Sequence, residues 1–204
     1  MSKTLNSRAP QWLQGVWRRA GRAIDGQPPE EVSDVVWAQV GTYFADVRVP
    51  VPASGDGSAG LCYLDGPQAF SGSLVHNGDT VTWRHDLDTE GHRNGFNDSA
   101  VLERKGSTVI ERGAGYLEFW KRAGRGPASV LERSDRTGIP TARILTVADL
   151  TVAVWSGRRA GGATLRFDDG GWEVEAYVGT GVIPWQAITD IRSGRVPPRW
   201  CRVA

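Results

Sequence analysis

Residues 69–86 read Ala-Phe-Ser-Gly-Ser-Leu-Val-His-Asn-Gly-Asp-Thr-Val-Thr-Trp-Arg-His-Asp. Two runs of alternating apolar and polar residues, 69–75 and 80–86, flank the segment 76–79, which contains the pair Asn77-Gly78. An Asn-Gly pair between alternating runs is a strong local signal for a two-stranded antiparallel hairpin. The stretch therefore predicts a β-hairpin with its turn at Gly78.

The same pattern recurs along most of the chain. Gly106 separates two short β-rich runs, and Gly170-Gly171 separates two more. The predicted strands are 16–24, 35–49, 69–75, 80–86, 100–104, 108–112, 116–121, 128–134, 142–147, 150–156, 163–167 and 172–178. The run 35–49 is read as one long strand, with Gly41 as a bulge or bend. The helix predicted over 184–192 starts at Pro184, stops at Gly194 and is expected to pack outside the sheet.

Many short strands joined by local hairpins leave unpaired edges, which closure into a barrel removes. The predicted fold class is therefore all-β, an antiparallel meander closed into a barrel of about eight to ten strands with a short C-terminal helix. One domain over 1–204 is expected, with 1–14 as an N-terminal segment and 184–204 as a C-terminal helix and tail. The alternative is an immunoglobulin-like sandwich, which lacks its Cys…Trp…Cys pattern here.

The segment Leu13-Gln14-Gly15-Val16-Trp17 resembles the Gly-x-Trp motif that opens the first strand of lipocalins and other calycins. The resemblance implies a lipocalin-like barrel in which Trp17 plugs the closed end. It also implies a basic residue packed over that Trp, for which Arg199 and Arg202 are the candidates, and a cavity for a small, largely hydrophobic molecule. The alternative is that Trp17 is an ordinary core residue.

Composition limits the classes of partner and cofactor. Lys plus Arg total 24 against 23 for Asp plus Glu, so no overall field favours nucleic acid. The polar N-terminal segment and the lack of a long apolar run predict a cytoplasmic protein that does not bind a membrane. Cys62 and Cys201 are read as reduced thiols, with a disulfide as the alternative. No nucleotide, zinc-protease or hydrolase motif is present, so no cofactor and no metal site are expected.

The strand 80–86 carries the first candidate for chemistry. Alternation places Trp83, His85 and Leu87 on one face, which as the apolar face is predicted to point into the barrel. An interior imidazole can act as acid, base or ligand near neutral pH. The alternative is a structural His bonded to backbone. Asp86, Asp88 and Glu90 alternate like metal ligands, but they are read as an exposed acidic loop because the EF-hand pattern is missing.

The strand 116–121 carries the second candidate. Tyr116, Glu118 and Trp120 share one face, and the sequence does not decide whether that face points inward. If it does, Glu118 lies between two aromatic residues, a setting that raises a carboxyl pKa and suits acid-base catalysis. Glu103 and Glu111 are read as surface residues paired with Arg104 or Arg112.

The run 35–49 carries the third candidate. Asp46 and Arg48 share one face, and an inward ion pair between them would position a polar group of a ligand. Trp37, Gln39 and Tyr43 lie on the other face unless Gly41 changes the phase. A solvated pair on the outer surface is the alternative.

Two functions fit these residues. The first is a carrier or sensor that binds a small hydrophobic molecule, for which the nine Trp residues could supply a rigid apolar lining; its predicted ligand-binding residues are Trp37, Gln39, Tyr43, Arg48, Trp83 and Trp120. The second is a cofactor-independent cyclase, isomerase or hydratase; its predicted catalytic residues are Glu118, His85, Tyr116 and Asp46. A haem-binding barrel using His85 is a third. Two or more ionisable groups in the cavity would favour catalysis, and a purely apolar lining would favour carriage. A filled interior would leave a scaffold or interaction protein.

Overall fold

The structure is a computed structural model that describes residues 9–31, 33–50, 67–89 and 97–204. Within those ranges the protein is all-β with one short helix near the C-terminus, as predicted. The strands form two sheets, and the first closes on itself into a barrel.

The barrel is an eight-stranded antiparallel meander in which each strand pairs with the next and the last pairs with the first. Its strands are β1 (Gly15–Ile24), β2 (Ser33–Val40), β3 (Tyr43–Pro50), β4 (Gln68–Asn77), β5 (Thr80–Asp88), β6 (Asn97–Lys105), β7 (Thr108–Gly113) and β8 (Tyr116–Gly124). The hairpin predicted from residues 69–86 is confirmed as β4 and β5, with Gly78 at a φ of 71° in the turn. The sequence also predicts a loop over 51–60, which lies outside the described residues.

The prediction of one long strand over 35–49 is wrong. Gly41 adopts a φ of 60°, and the chain reverses there, so that Val40 pairs with Tyr43 across a tight turn. A bulge would have kept one strand, whereas the turn produces two. As a result Trp37 and Asp46, which pair directly across the two strands, share the inner face of the barrel.

The strands that follow Gly124 form a second, open sheet rather than additional barrel wall. Its spatial order is β13, β12, β11, β10, β9 and β14. Its strands are β9 (Ala128–Ser134), β10 (Pro140–Val147), β11 (Leu150–Trp155), β12 (Gly161–Asp168), β13 (Gly171–Gly179) and β14 (Cys201–Arg202). The expectation that these strands complete the barrel is thus corrected, because β8 already pairs with β1 along its length.

The second sheet buries both of its faces. One face packs on the outside of the barrel, where Val36 and Val47 share a core with Leu145 and Val152. The other face is covered by helix α1 (Trp185–Arg192), whose Ile188 joins a separate apolar core. This agrees with the prediction that the helix lies outside the sheet.

One end of the barrel, here called the capped end, is closed by a short 3₁₀ helix (Gln11–Leu13) and by Trp17. The Trp17 indole donates a 2.8 Å hydrogen bond to the Leu13 carbonyl. Gly15 is required there, because its φ is 132° and an added Cβ would lie 2.5 Å from the Gly124 carbonyl oxygen. The glycine of the Gly-x-Trp pattern is therefore required by its backbone conformation and by the close approach of Gly124.

A basic residue does pack over Trp17, but it is Arg122 rather than Arg199 or Arg202. The Arg122 Cζ lies 4.1 Å from the ring centroid, and its Nη1 donates a 2.6 Å hydrogen bond to the Gln14 carbonyl. Arg122 occupies this place because β8, not the C-terminal strand, is the last strand of the barrel. Within the described ranges, no helix is both long and apolar enough to cross a membrane.

Candidate functional site

The half of the barrel interior nearest the capped end is filled by tryptophan side chains. Trp37 lies at the centre, with ring centroids 5.7 Å from Trp83, 5.4 Å from Trp120 and 6.4 Å from Trp17. Edge-on packing of this kind adds stability beyond the burial of area alone. All four side chains are buried, so the capped half of the barrel is a solid aromatic core.

Beyond this aromatic core, towards the other end of the barrel, the interior side chains are charged. Arg19, on β1, donates a 2.7 Å hydrogen bond to Glu118 and a bidentate pair, both at 2.9 Å, to Glu31. Arg22 lies 3.6 Å from the same Glu118 oxygen. Glu118 therefore faces inward, but it is neutralised by arginine rather than enclosed by aromatic rings. This position differs from the setting that the sequence suggested for an acid-base residue.

Glu111 occupies that setting instead. Tyr116 Oη donates to its Oε1 at 2.9 Å and Trp120 Nε1 donates to its Oε2 at 3.0 Å. Burial raises the pKa of Glu111 well above its ordinary value of 4.5, and the nearby charge of Glu118 raises it further. Burial likewise raises the pKa of Tyr116. Glu111 is thus a buried carboxyl whose surroundings favour the protonated form.

The prediction of Glu111 as a surface residue is wrong, and the sequence did contain a signal for its true position. Gly113 pairs with Tyr116 across a two-residue turn, which places Glu111 directly opposite Glu118. Directly opposed residues in an antiparallel pair share a face. Glu111 therefore points inward whenever Glu118 does. Glu103, in contrast, is exposed as predicted and lies 3.4 Å from Arg112.

Asp46 and Arg48 form the predicted inward ion pair on β3. Arg48 Nε donates to Asp46 Oδ1 at 2.9 Å, and the guanidinium also lies over the Phe70 ring at 5.0 Å. Burial raises the pKa of Asp46, and the adjacent Arg48 opposes that rise.

His85 faces the interior as predicted. Its ring stacks on Phe70 with centroids 4.5 Å apart, and its Nδ1 lies 3.9 Å from Asp88 Oδ2. Leu87 does not share this face, because the pairing of β4 with β5 shifts by one residue between Ser71 and Gly72. Leu87 instead joins the core between barrel and second sheet.

These groups converge on one pocket near the end of the barrel opposite the capped end. It is lined by five aromatic and five charged or titratable residues, namely Trp37, Phe44, Phe70, Trp83, Trp120, Asp46, Arg48, His85, Asp98 and Glu111. The free volume is about 20 Å³, which is room for about one water molecule. The interior is therefore mostly filled by the protein's own side chains, and the large hollow expected from the family resemblance is not present.

The structure brings most of the predicted site residues together. His85, Asp46, Arg48, Trp37, Trp83 and Trp120 line the pocket. Tyr116 does not line the pocket itself but is hydrogen-bonded to the pocket residue Glu111. Glu118 also lies outside the pocket lining and is bound by Arg19.

Two predicted ligand-binding residues lie elsewhere. Gln39 is fully buried and donates to the carbonyls of Gly41 and Tyr43, so it holds the β2–β3 turn. Tyr43 lies on the outer face of the barrel, beneath the guanidinium of Arg143. The pocket residues that the sequence interpretation did not select are Phe44, Phe70, Asp98 and Glu111.

The acidic residues predicted as an exposed loop divide as well. Asp86 binds Arg143 of the second sheet, Asp88 faces His85, and Glu90 lies outside the described residues. In the part of the chain that the structure describes, no cluster of His, Cys, Asp or Glu is arranged to hold a metal ion. Comparisons of this chain with family models, with curated proteins and with solved structures give no match.

Proposed function

We propose that the protein binds a small molecule with a compact apolar body and a polar group in the interior pocket of the barrel. The observation that carries this proposal is the convergence of five aromatic rings with Asp46, Arg48, His85, Asp98 and Glu111 on one buried site. Small-molecule sites commonly combine apolar walls with a few polar groups that fix orientation.

The indole of Trp37 supports an occupant. Trp37 is 2% exposed, and its Nε1 has no hydrogen-bond partner among the described residues. A buried N–H without an acceptor costs about 1–3 kcal/mol, which an acceptor atom of a ligand would recover. Trp37 lines the pocket, so the proposed ligand presents such an atom there.

The pocket must widen to admit anything larger than water. The side chains best placed to move are Arg48 and Phe70, which lie against each other at the lining. Side-chain rotation at a binding site is common and needs no movement of the backbone. The barrel wall itself is continuous in hydrogen bonding and serves as the rigid frame.

We place the barrel in the lipocalin-like, or calycin, class as part of this proposal. The support is the closed eight-stranded meander, the 3₁₀ helix before β1, and Trp17 beneath Arg122 at the capped end. The cytoplasmic location expected from the sequence stays a prediction.

Native mass spectrometry of protein purified from its own host tests the proposal. We expect a retained small molecule in the wild type and its loss in Asp98→Phe, which puts a ring at the pocket. Ser99→Phe is the matched control, because Ser99 is the neighbouring residue on β6 and is exposed. Retention of the same mass by Asp98→Phe, or none by the wild type under gentle ionisation, would contradict the proposal.

Acid-base catalysis is a second candidate function, and the buried, hydrogen-bonded position of Glu111 favours it. A carboxyl whose pKa is raised by burial is suited to protonate a bound substrate, and Tyr116 is hydrogen-bonded to it. If the barrel is a cyclase, isomerase or hydratase, incubation of the retained molecule with fresh protein converts it to a product, and Glu111→Gln abolishes the conversion. If the molecule is unchanged after prolonged incubation, catalysis is contradicted and only the binding function remains.

A further inference from the structure

We propose that the ligand carries a positive charge, as an organic ammonium or amidinium group held between Glu111, Asp98 and the tryptophan rings. This inference rests on the proposed function, because it names the chemical class of the molecule that the pocket binds. It follows from the distribution of charge inside the barrel.

Most interior carboxylates already have a cation of the protein beside them. Glu118 and Glu31 are bound by Arg19, at 2.7 and 2.9 Å. Asp46 is bound by Arg48 at 2.9 Å. A buried charge is tolerated when it is paired in this way. These three carboxylates therefore already have a cationic partner in the protein and need none from a ligand.

Glu111 and Asp98 are different. The hydrogen bonds of Glu111 come from Tyr116 and Trp120, which are neutral donors, and no ion pair to Glu111 or Asp98 occurs within the described ranges. Both line the pocket. The pocket therefore presents two acidic groups without a cation, beside one arginine that is already engaged by Asp46.

The walls suit a cation as well. Trp37, Trp83 and Trp120 line the pocket, and the face of a tryptophan ring attracts positive charge more strongly than other aromatic rings. The interior aromatics already take cations of the chain itself. Arg48 lies over Phe70 and Arg22 over Tyr116, each at 5.0 Å.

An observation independent of the carboxyls points to the rest of the ligand. The buried indole N–H of Trp37 needs an acceptor, which a bare alkylammonium does not have. A hydroxyl, ether or carbonyl oxygen near the cationic group would supply it. The class that fits is a small organic cation with an adjacent oxygen atom.

An anionic ligand fits poorly. It would have to draw Arg48 away from Asp46 and lie beside Asp98 and Glu111. A neutral ligand would leave Glu111 in its protonated form, with no gain from charge.

Binding of a cation should therefore be linked to loss of the Glu111 proton. A permanent cation favours the ionised carboxylate, so its affinity should rise as the pH rises through the raised pKa of Glu111. The titratable and charged groups that surround Glu111 in the barrel interior are Asp98, Glu118, Tyr116, Asp46, Arg48, Arg19 and His85.

The test uses three probes of one shape: choline, its neutral analogue 3,3-dimethylbutan-1-ol, and the anion 3,3-dimethylbutanoate. Choline does not titrate, so any pH dependence reports on the protein. Binding to the full chain is measured by tryptophan fluorescence and calorimetry at pH 8. We expect choline to bind at least about tenfold more tightly than the alcohol, and the anion to bind more weakly still.

Substitutions test which carboxyl groups bind the cation. Glu111→Gln and Asp98→Asn should each weaken choline about five- to tenfold and leave the alcohol unchanged, and Glu111→Gln should remove the pH dependence. Glu103→Gln is the matched control, since it removes a carboxylate from the outside of the same barrel. Asp98 is only half-buried, so Asp98→Asn keeps the test valid if Glu111→Gln does not fold.

The outcomes separate the two proposals. Equal affinity for choline and the alcohol, or tighter binding of the anion, would overturn the cationic ligand and leave the binding function standing. Binding of none of the three probes up to millimolar concentration would overturn the cationic ligand, and absence of a retained molecule in the mass spectrum would overturn the binding function as well.

Discussion

Arg143 of the second sheet donates a 2.9 Å hydrogen bond from its Nη2 to the Asp86 carboxylate on the barrel. The same guanidinium donates to Ser71 Oγ at 3.1 Å, from Nη1, and to Glu132 on its own sheet, while only 1% of Arg143 is exposed. One buried cation thus joins β4 and β5 of the barrel to β9 and β10. The attachment of the second sheet is polar at this point as well as apolar.

We expect Arg143→Met to lower the free energy of unfolding by about 1–3 kcal/mol, because it removes the charge-assisted hydrogen bonds of a buried guanidinium to exposed Asp86 and half-buried Glu132. Urea unfolding followed by tryptophan fluorescence measures the change. Arg136→Met, an exposed arginine in the β9–β10 turn, should change the free energy by less than about 0.5 kcal/mol. Equal effects of the two substitutions would show that the Arg143 contacts add no stability.

Gly162 allows the second sheet to approach the barrel. A Cβ at this position would lie 2.3 Å from Ala69 Cβ and 3.2 Å from Val47 Cγ2. We expect Gly162→Ala to destabilise the fold by about 1–3 kcal/mol through overpacking, and Ala69→Gly to restore part of the loss in the double variant. Gly170→Ala, in an exposed turn, is the control. A double variant no more stable than Gly162→Ala alone would contradict this account of the contact.

The Arg19–Glu118 pair should behave as a unit in thermal and urea unfolding. Both side chains are at most 3% exposed, and their charged atoms are 2.7 Å apart. Arg19→Met or Glu118→Leu alone should cost about 3–5 kcal/mol, because each removes the nearest partner of a buried charge. The double variant should cost clearly less than the sum. Additive losses would mean that Glu31 and Arg22 already neutralise the two groups.

Glu111 should make stability fall with rising pH. Its pKa in the folded protein is raised above the unfolded value of about 4.5, so the folded state binds the proton more tightly. The resulting stabilisation is fully present below pH about 4.5 and is lost as the pH rises through the folded pKa. Relative to Glu111→Gln, the wild type should lose up to about 1.4 kcal/mol per pH unit in that window.

Urea unfolding between pH 4 and pH 9 measures this difference. The Gln side chain can accept from the Trp120 indole and donate to the Tyr116 hydroxyl, so the variant keeps both neutral contacts. Glu103→Gln is the control, since exposed Glu103 has a lowered pKa and stays ionised across the window. Parallel stability curves for the wild type and Glu111→Gln would show that folding does not raise the pKa of Glu111.

Much of the local structure was predictable because it depends on neighbouring residues. The turn at Gly78, the hairpins on either side of Gly106 and Gly170, and the stop of the helix at Gly194 follow from backbone freedom and alternation. Alternation also placed His85 inside and joined Asp46 to Arg48. The misreading of Gly41 shows the limit of such reasoning, since the same glycine suits a bulge or a turn and only the partner strand decides between them.

Local pattern by itself determined an all-β chain that needed to hide its strand edges, and the resemblance carried by the Gly-x-Trp segment indicated Trp17 as the residue at the closed end. Only the tertiary structure decided that the barrel closes at Gly124, so that Arg122 covers Trp17 and the later strands pack outside. It also decided that Arg19 pairs with Glu118, while Glu111 is bound by neutral donors and has a raised pKa. The physical reason is that pairing of strands, burial and charge depend on residues far apart in the chain, whose meeting no local pattern encodes.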